Sequence, residues 1–306
     1  MRTRSPNQES HSIVWLLALY LTIVFVGGAL IAPWLYFAVQ RAAEHFPSWR
    51  GLANAPFHRF VHRALLILAV VGLWPFCKKA GIGWRNLGLA MSRAELKRFA
   101  GGLCVGFVSL ACIAVLVLAS GARAFQQPTN IGAVIAIAVG TAIFVAVLEE
   151  IIFRGALFGS LKLTYSWLTA LLISSAIYAL VHFFNNRPAA PAEVTWLSGF
   201  FILKEMLRGF VDLHTLIPGF INLTLAGAIL AMAYQFTGSL SFSIGLHAGW
   251  IFWLKSYGAF TTKTINANEW LWGTTKLIDG WMASLVLIAV LISVGCWLRP
   301  RTDSKT

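Results

Sequence analysis

Two adjacent carboxylates, Glu149 and Glu150, and an arginine, Arg154, stand in a largely apolar run from Ile131 to Leu163. Two further ionisable side chains, His182 and His247, lie in later apolar stretches. A charge within a membrane span costs about 2.5 to 3.5 kcal/mol on insertion scales, so such residues mark a functional site by default. The residue types suit hydrolysis. A carboxylate can take a proton from water, and an imidazole can assist it or hold a developing negative charge.

Eight apolar stretches must position these groups. The spans read as Ser12 to Gln40 (with Pro33 inside it), Phe60 to Cys77, Phe99 to Ser120, Ile131 to Leu163, Trp167 to Phe184, Ile217 to Phe236, Leu240 to Leu254 and Gly280 to Leu298. The first is far longer than the apolar core of a signal peptide, about 7 to 15 residues, and is expected to stay as a span. Residues 194 to 212 differ in kind. Lys204, Arg208 and Asp212 recur every four residues with Glu205 beside them, and Leu197, Phe200, Leu203, Leu207 and Phe210 take the other side. That pattern predicts an amphipathic helix at the interface, its charged face in solvent. The fold class is therefore all-α: a polytopic membrane protein of about eight transmembrane helices with one interfacial helix. Residues 1 to 306 read as a single membrane domain, with 131 to 255 as its motif-bearing core.

The chain is 58% hydrophobic and 11% charged across its 306 residues. Soluble proteins carry about 25% charged residues. The net charge of +13 is assigned to loops beside spans rather than to nucleic acid. The segment from Lys78 to Arg98 holds six basic residues and one acid, Glu95. It favours cytoplasmic termini at both ends. Cys77, Cys104, Cys112 and Cys296 have no metal-like spacing and read as small apolar fillers.

Depth links the candidates. If the fourth helix runs on to Leu163 and turns near Tyr165, Glu149 and His182 are level, about 24 Å from the turn at 1.5 Å per residue. On that helix Glu150 points about 100° away from Glu149. Arg154 follows Glu150 by four residues, which puts the two on one face. Glu150 is thus expected to pair with Arg154, and Glu149 to be the freer carboxylate and general base.

Glu149-Glu150-Ile151-Ile152-Phe153-Arg154 resembles the EExxxR motif of the CPBP family of intramembrane proteases, which includes the type II CAAX prenyl proteases and the bacterial Abi proteins. His182 is similar to the histidine of that family's FxxxH motif, with Tyr178 at the aromatic place. His247, in Thr237 to Trp250, resembles the third motif. The resemblance covers residues 135 to 255. It implies peptide-bond hydrolysis in the membrane, on a membrane-embedded or lipid-anchored peptide, with the bilayer as the other partner and no nucleic acid. It implies that Glu149 with His182 activates water and that His247 stabilises the oxyanion, while Glu150 and Arg154 hold the surroundings of Glu149. The expected location is a bacterial inner membrane.

One position departs from the family pattern: Ile251 stands where the third motif often has Asn. Either His247 then acts alone, or another donor such as Asn222, in the sixth span, or a backbone N–H replaces it. No cofactor or metal is expected. Two Glu and two His could also form a zinc set, although adjacent carboxylates on a helix chelate one ion with difficulty, and zinc stays as an alternative. The other alternative is a non-catalytic scaffold or immunity-type protein of the same fold. A proton-coupled carrier is disfavoured by the lack of an internal repeat.

Overall fold

The computed structural model describes residues 6–298 except 84–86, 90–91, 185–188, 190 and 266. The basic residues Arg2 and Arg4, the basic tail after Leu298, and parts of the loops around Trp84 and Pro188 therefore lie outside the described residues.

In chain order the helices are α1 (Pro6–Thr22), α2 (Gly28–His45), α3 (Arg50–Ala53), α4 (Phe57–Ala80), α5 (Arg93–Ala119), α6 (Ile131–Glu150), α7 (Gly159–Leu161), α8 (Trp167–Phe183), α9 (Ser198–Met206), α10 (Leu213–Thr237), α11 (Leu240–Phe260), α12 (Glu269–Trp272) and α13 (Trp281–Leu298). A π-helical turn, Ile23–Gly27, joins α1 to α2, and a longer π-helix, Ile151–Phe158, joins α6 to α7. The helix starts follow local chemistry. Ser92 caps α5 by accepting from the Glu95 N–H, and Asn130 and Ser239 cap α6 and α11 in the same way. Gly81 ends α4 and Gly238 separates α10 from α11, both at positive φ, where glycine has no Cβ to clash.

Six helical stretches are long and apolar enough to cross a membrane: Ile13–His45, Phe57–Ala80, Arg93–Ala119, Ile131–Leu161, Leu216–Thr237 and Trp281–Leu298. The protein is an all-α, polytopic integral membrane protein. All eight expected spans are helical. Of the other two, α8 is shorter, and α11 is long but carries His247, Lys255 and several small polar residues. Its middle, Phe242 to Ile251, is buried throughout, so α11 is packed among other helices rather than facing lipid.

The chain divides into two compact units. The first comprises Met1–Ile82 and Val181–Asp212. Its core gathers Ala32 of α2, Phe57, Phe60, Val61 and Ala64 of α4, and Ile202 and Met206 of α9. The expected amphipathic helix is shorter than its sequence pattern and turned differently. Ser198, Gly199, Ile202, Glu205 and Met206 form the buried face of α9. A Cβ on Gly199 would lie 1.9 Å from the Ala29 carbonyl oxygen, so backbone contact selects this face. Glu205 is buried and paired to Arg208 at 3.1 Å, while Leu197, Phe200 and Leu207 are exposed. The charged face expected in solvent thus loses Glu205 to the interior, because close approach requires small residues and they lie on that side.

The second unit comprises Gly83–Leu180 and Leu213–Thr306. Its core runs from Leu110, Ile113 and Val117 of α5 through Ile229 and Leu230 of α10 to Phe242, Leu246 and Trp250 of α11 and Leu287 of α13. A two-stranded antiparallel ladder, β1 (Arg123–Phe125) with β2 (Thr261–Lys263), joins two loops that the sequence reading left irregular.

A tight seam runs between α5 and α11. A Cβ on Gly102 would lie 2.1 Å from the Phe242 oxygen, and one on Gly106 would lie 2.0 Å from the Leu246 oxygen. In the other direction, a Cβ on Gly245 would lie 2.1 Å from the Phe99 oxygen, and one on Gly249 would lie 2.5 Å from the Phe107 nitrogen. Two small-xxx-small motifs therefore face each other, a known device for close helix contact in membranes. His247 sits inside the second motif. Gly106→Val should force the helices apart, with an overpacking cost of about 1–3 kcal/mol or more. The expected outcome is a lower thermal unfolding temperature in detergent, with loss of function greater than that of an exposed change such as Val115→Ala.

Candidate active site

Four segments of the second unit meet at one polar cluster: the end of α6 (Glu149, Glu150), the π-helix (Arg154), α8 (Tyr178) and α11 (His247). The helix that bears the carboxylates continues past Arg154 to Leu161, as its apolar run requires. Its backbone changes form directly after Glu150. In a π-helix the hydrogen bonds run from i to i+5, and such segments recur at functional sites. Arg154 and the small Gly155 and Ala156 are buried in it.

Glu150 is fully buried. Its Oε1 accepts from Arg154 Nη1 at 2.9 Å and meets His247 Nδ1 at 2.9 Å. The pairing of Glu150 with Arg154 is as the spacing implies. Its second partner, His247, is not readable from spacing, because the two are 97 residues apart. Arg154 is itself fixed on three sides. Nη2 donates to the Gly227 carbonyl of α10 at 3.4 Å, and the guanidinium lies 4.5 Å from the centre of the Tyr178 ring, a favourable cation–π distance. Phe153 braces that ring edge-on at 5.0 Å.

His247 joins the carboxylates. Its Nδ1 faces Glu150, while Nε2 lies 3.7 Å from Glu149 Oε2 and 3.3 Å from the Tyr178 hydroxyl. Helical spacing alone sets Glu149 and Glu150 on different faces. They nevertheless converge, because they approach different nitrogens of one ring. Glu149 keeps 23% of its side chain exposed, against none for Glu150. Glu149 is therefore the more accessible of the two carboxylates, although its Oε2 is buried.

Two further sequence candidates are His182 and Asn222. His182 is in the last turn of α8, one turn after Tyr178 and within the first unit. Asn222 does not belong to the cluster. Its amide nitrogen donates to the Ile278 and Gly280 carbonyls at 2.8 and 2.9 Å, and its oxygen accepts from Ser284 at 2.6 Å. Those bonds anchor α10 to the entry of α13 and engage both the nitrogen and the oxygen of the Asn222 amide. Ile251, one turn after His247, is buried and apolar. The residue that sequence reasoning undervalued is Tyr178. It was read there only for its ring, although the hydroxyl distinguishing it from Phe was visible.

The donor set fits a metal ion poorly. Glu150 Oε1 is already shared by a guanidinium and an imidazole. Among the described residues no three His, Cys, Asp or Glu side chains are arranged to hold an ion.

Arg154→Met would leave Glu150 buried with only His247 beside it. Breaking a buried pair from one side costs about 3–5 kcal/mol. The expected outcome is a marked drop in thermal stability, measured in detergent, whereas Glu149→Gln, at the exposed edge, should unfold close to the parent.

Residues 131–253 match the family model described as Type II CAAX prenyl endopeptidase Rce1-like. The match runs from the start of α6 into α11 and includes Glu149, Glu150, Arg154, Tyr178, His182 and His247. No curated protein and no solved structure matches the chain.

Proposed function

We propose, from a segment that belongs to the Rce1-like prenyl endopeptidases, that this protein cleaves a peptide bond of a membrane-embedded or lipid-anchored substrate by carboxylate-activated water. The match of residues 131–253 supports intramembrane proteolysis in general. The observation that supports the finer reading is the pairing of the more accessible carboxylate, Glu149, with a histidine held in place from behind by Glu150 and Arg154.

In this reading Glu149 takes a proton from water. A water about 2.8 Å from both Glu149 Oε2 and His247 Nε2 fits across the 3.7 Å between them. The hydroxide attacks the carbonyl carbon, and Glu149 returns the proton to the leaving amine as the C–N bond breaks. Glu150 accepts from His247 Nδ1–H, which fixes the ring's orientation. His247 then donates from Nε2 to the oxyanion as an imidazolium. His182 assists the water step on the strength of its motif. Prenylated peptides are the first substrates to test.

Glu149→Gln keeps the shape and removes the base. With the purified protein in nanodiscs and a quenched-fluorescent farnesylated peptide, cleavage by the parent and a loss of about 10³-fold or more in the variant are expected. Both proteins should unfold at similar temperatures. Equal cleavage by the two would refute the mechanism. A parent that cleaves neither this peptide nor endogenous membrane peptides, compared by mass spectrometry with and without the protein, would favour the scaffold reading. Cleavage should also persist after incubation with a zinc chelator.

A further inference from the structure

Hydrolysis of an amide places negative charge on the carbonyl oxygen, and that oxygen needs more than one donor. The donors near Glu149 can be taken in turn. Arg154 gives Nη1 to Glu150 and Nη2 to the Gly227 carbonyl. His247 Nδ1 faces Glu150. The Asn222 amide is engaged at the start of α13. Ile251, on the His247 face of α11, has no donor. Beside Glu149, His247 Nε2 and the Tyr178 hydroxyl stand 3.3 Å apart.

We infer that the Tyr178 hydroxyl is the second oxyanion donor of this site, acting beside His247 Nε2 and supplying what Ile251 cannot. The inference rests on the hydrolytic reading of the cluster.

Three features support it. The ring is immobilised on both sides, with the Arg154 guanidinium 4.5 Å from its centre and Phe153 edge-on at 5.0 Å. The hydroxyl therefore points to one place, as an oxyanion donor must. A phenol also keeps one rotatable proton. With His247 doubly protonated throughout, Nε2 offers no lone pair to that proton, which turns to the substrate oxygen. Finally, the hydroxyl and Glu149 approach the same nitrogen, so base and donor flank one reacting carbonyl. The step balances without another reactant. Water gives its proton to Glu149 and its oxygen to the carbonyl carbon, the carbonyl electron pair moves to oxygen, and Tyr178 lends a hydrogen bond without losing its proton.

Tyr178→Phe removes only the hydroxyl and leaves the ring for Arg154 and Phe153. Loss of one oxyanion donor lowers kcat by about 10²- to 10³-fold, and KM for the farnesylated peptide should stay within about threefold if ground-state binding is unchanged. A phosphonate peptide that mimics the tetrahedral intermediate should lose affinity by a similar factor, whereas a substrate-like peptide should not; a packing role would weaken both alike. Tyr178→Phe with kcat within threefold of the parent overturns the proposal, and so does equal loss of affinity for both peptides. A parent that shows no cleavage, or none that depends on Glu149, removes the hydrolytic reading instead. Cleavage that needs Glu149 but not Tyr178 leaves that reading intact and rejects this one.

Discussion

One oxygen atom organises this protein. Glu150 Oε1 lies 2.9 Å from both Arg154 Nη1 and His247 Nδ1, in a place without solvent. A carboxylate there is tolerable only with its charge answered, and both partners answer it at Oε1, while the buried Oε2 makes no hydrogen bond. Each partner is in turn tied to another helix: Arg154 to α10 through Gly227 and to α8 through Tyr178, and His247 to α11 by the chain itself. The cost of the buried charge thus becomes a constraint on four segments, and the neighbouring Glu149 is left as the more exposed of the two carboxylates.

The π-helix shows how the backbone accommodates this. An unbroken α-helix would carry Ile151 to Phe158 around in tighter turns. The wider i to i+5 spacing buries Arg154, Gly155 and Ala156 together. Gly155 matters for a particular reason: a Cβ there would lie 3.0 Å from Leu87, a fully buried residue of the loop before α5. That loop is held again at its far side, where the Gly88 carbonyl accepts from the Leu240 N–H at the start of α11. The loop and the π-helix therefore share one packing problem with the helix that carries His247.

Much of this was legible in the residues. The apolar runs gave the helices, because each is long enough to span and is punctuated by Ser, Asn or Gly at its ends. The interval between Glu150 and Arg154 gave their pairing, because it is local. What stayed hidden was non-local. His247 is joined to Glu150 by packing of α11 against α6, and no interval in the chain encodes which of its nitrogens faces which carboxylate. Asn222 meets the same limit: a polar residue in an apolar span announces a need for partners without saying where they are, and its partners lie at the entry of α13. In α9 the alternation of charge suggested one face for solvent, but the small residues Ser198 and Gly199 decided the packing. Small residues carry weak hydropathy signals, so patterns of charge outvote them on paper and lose in three dimensions.

The seam between α5 and α11 fits backbone to backbone, with carbonyls where side chains would otherwise stand. Side chains can hop between rotamers and absorb an ångström; peptide groups in contact cannot. The seam therefore works like a machined slide with no play. His247 is mounted on that slide, between Gly245 and Gly249, and its height along α5 is set by parts that do not wear or adjust. Whatever gives way when the site is occupied has to be found among elements with softer mountings, and the histidine is the fixed datum against which they move.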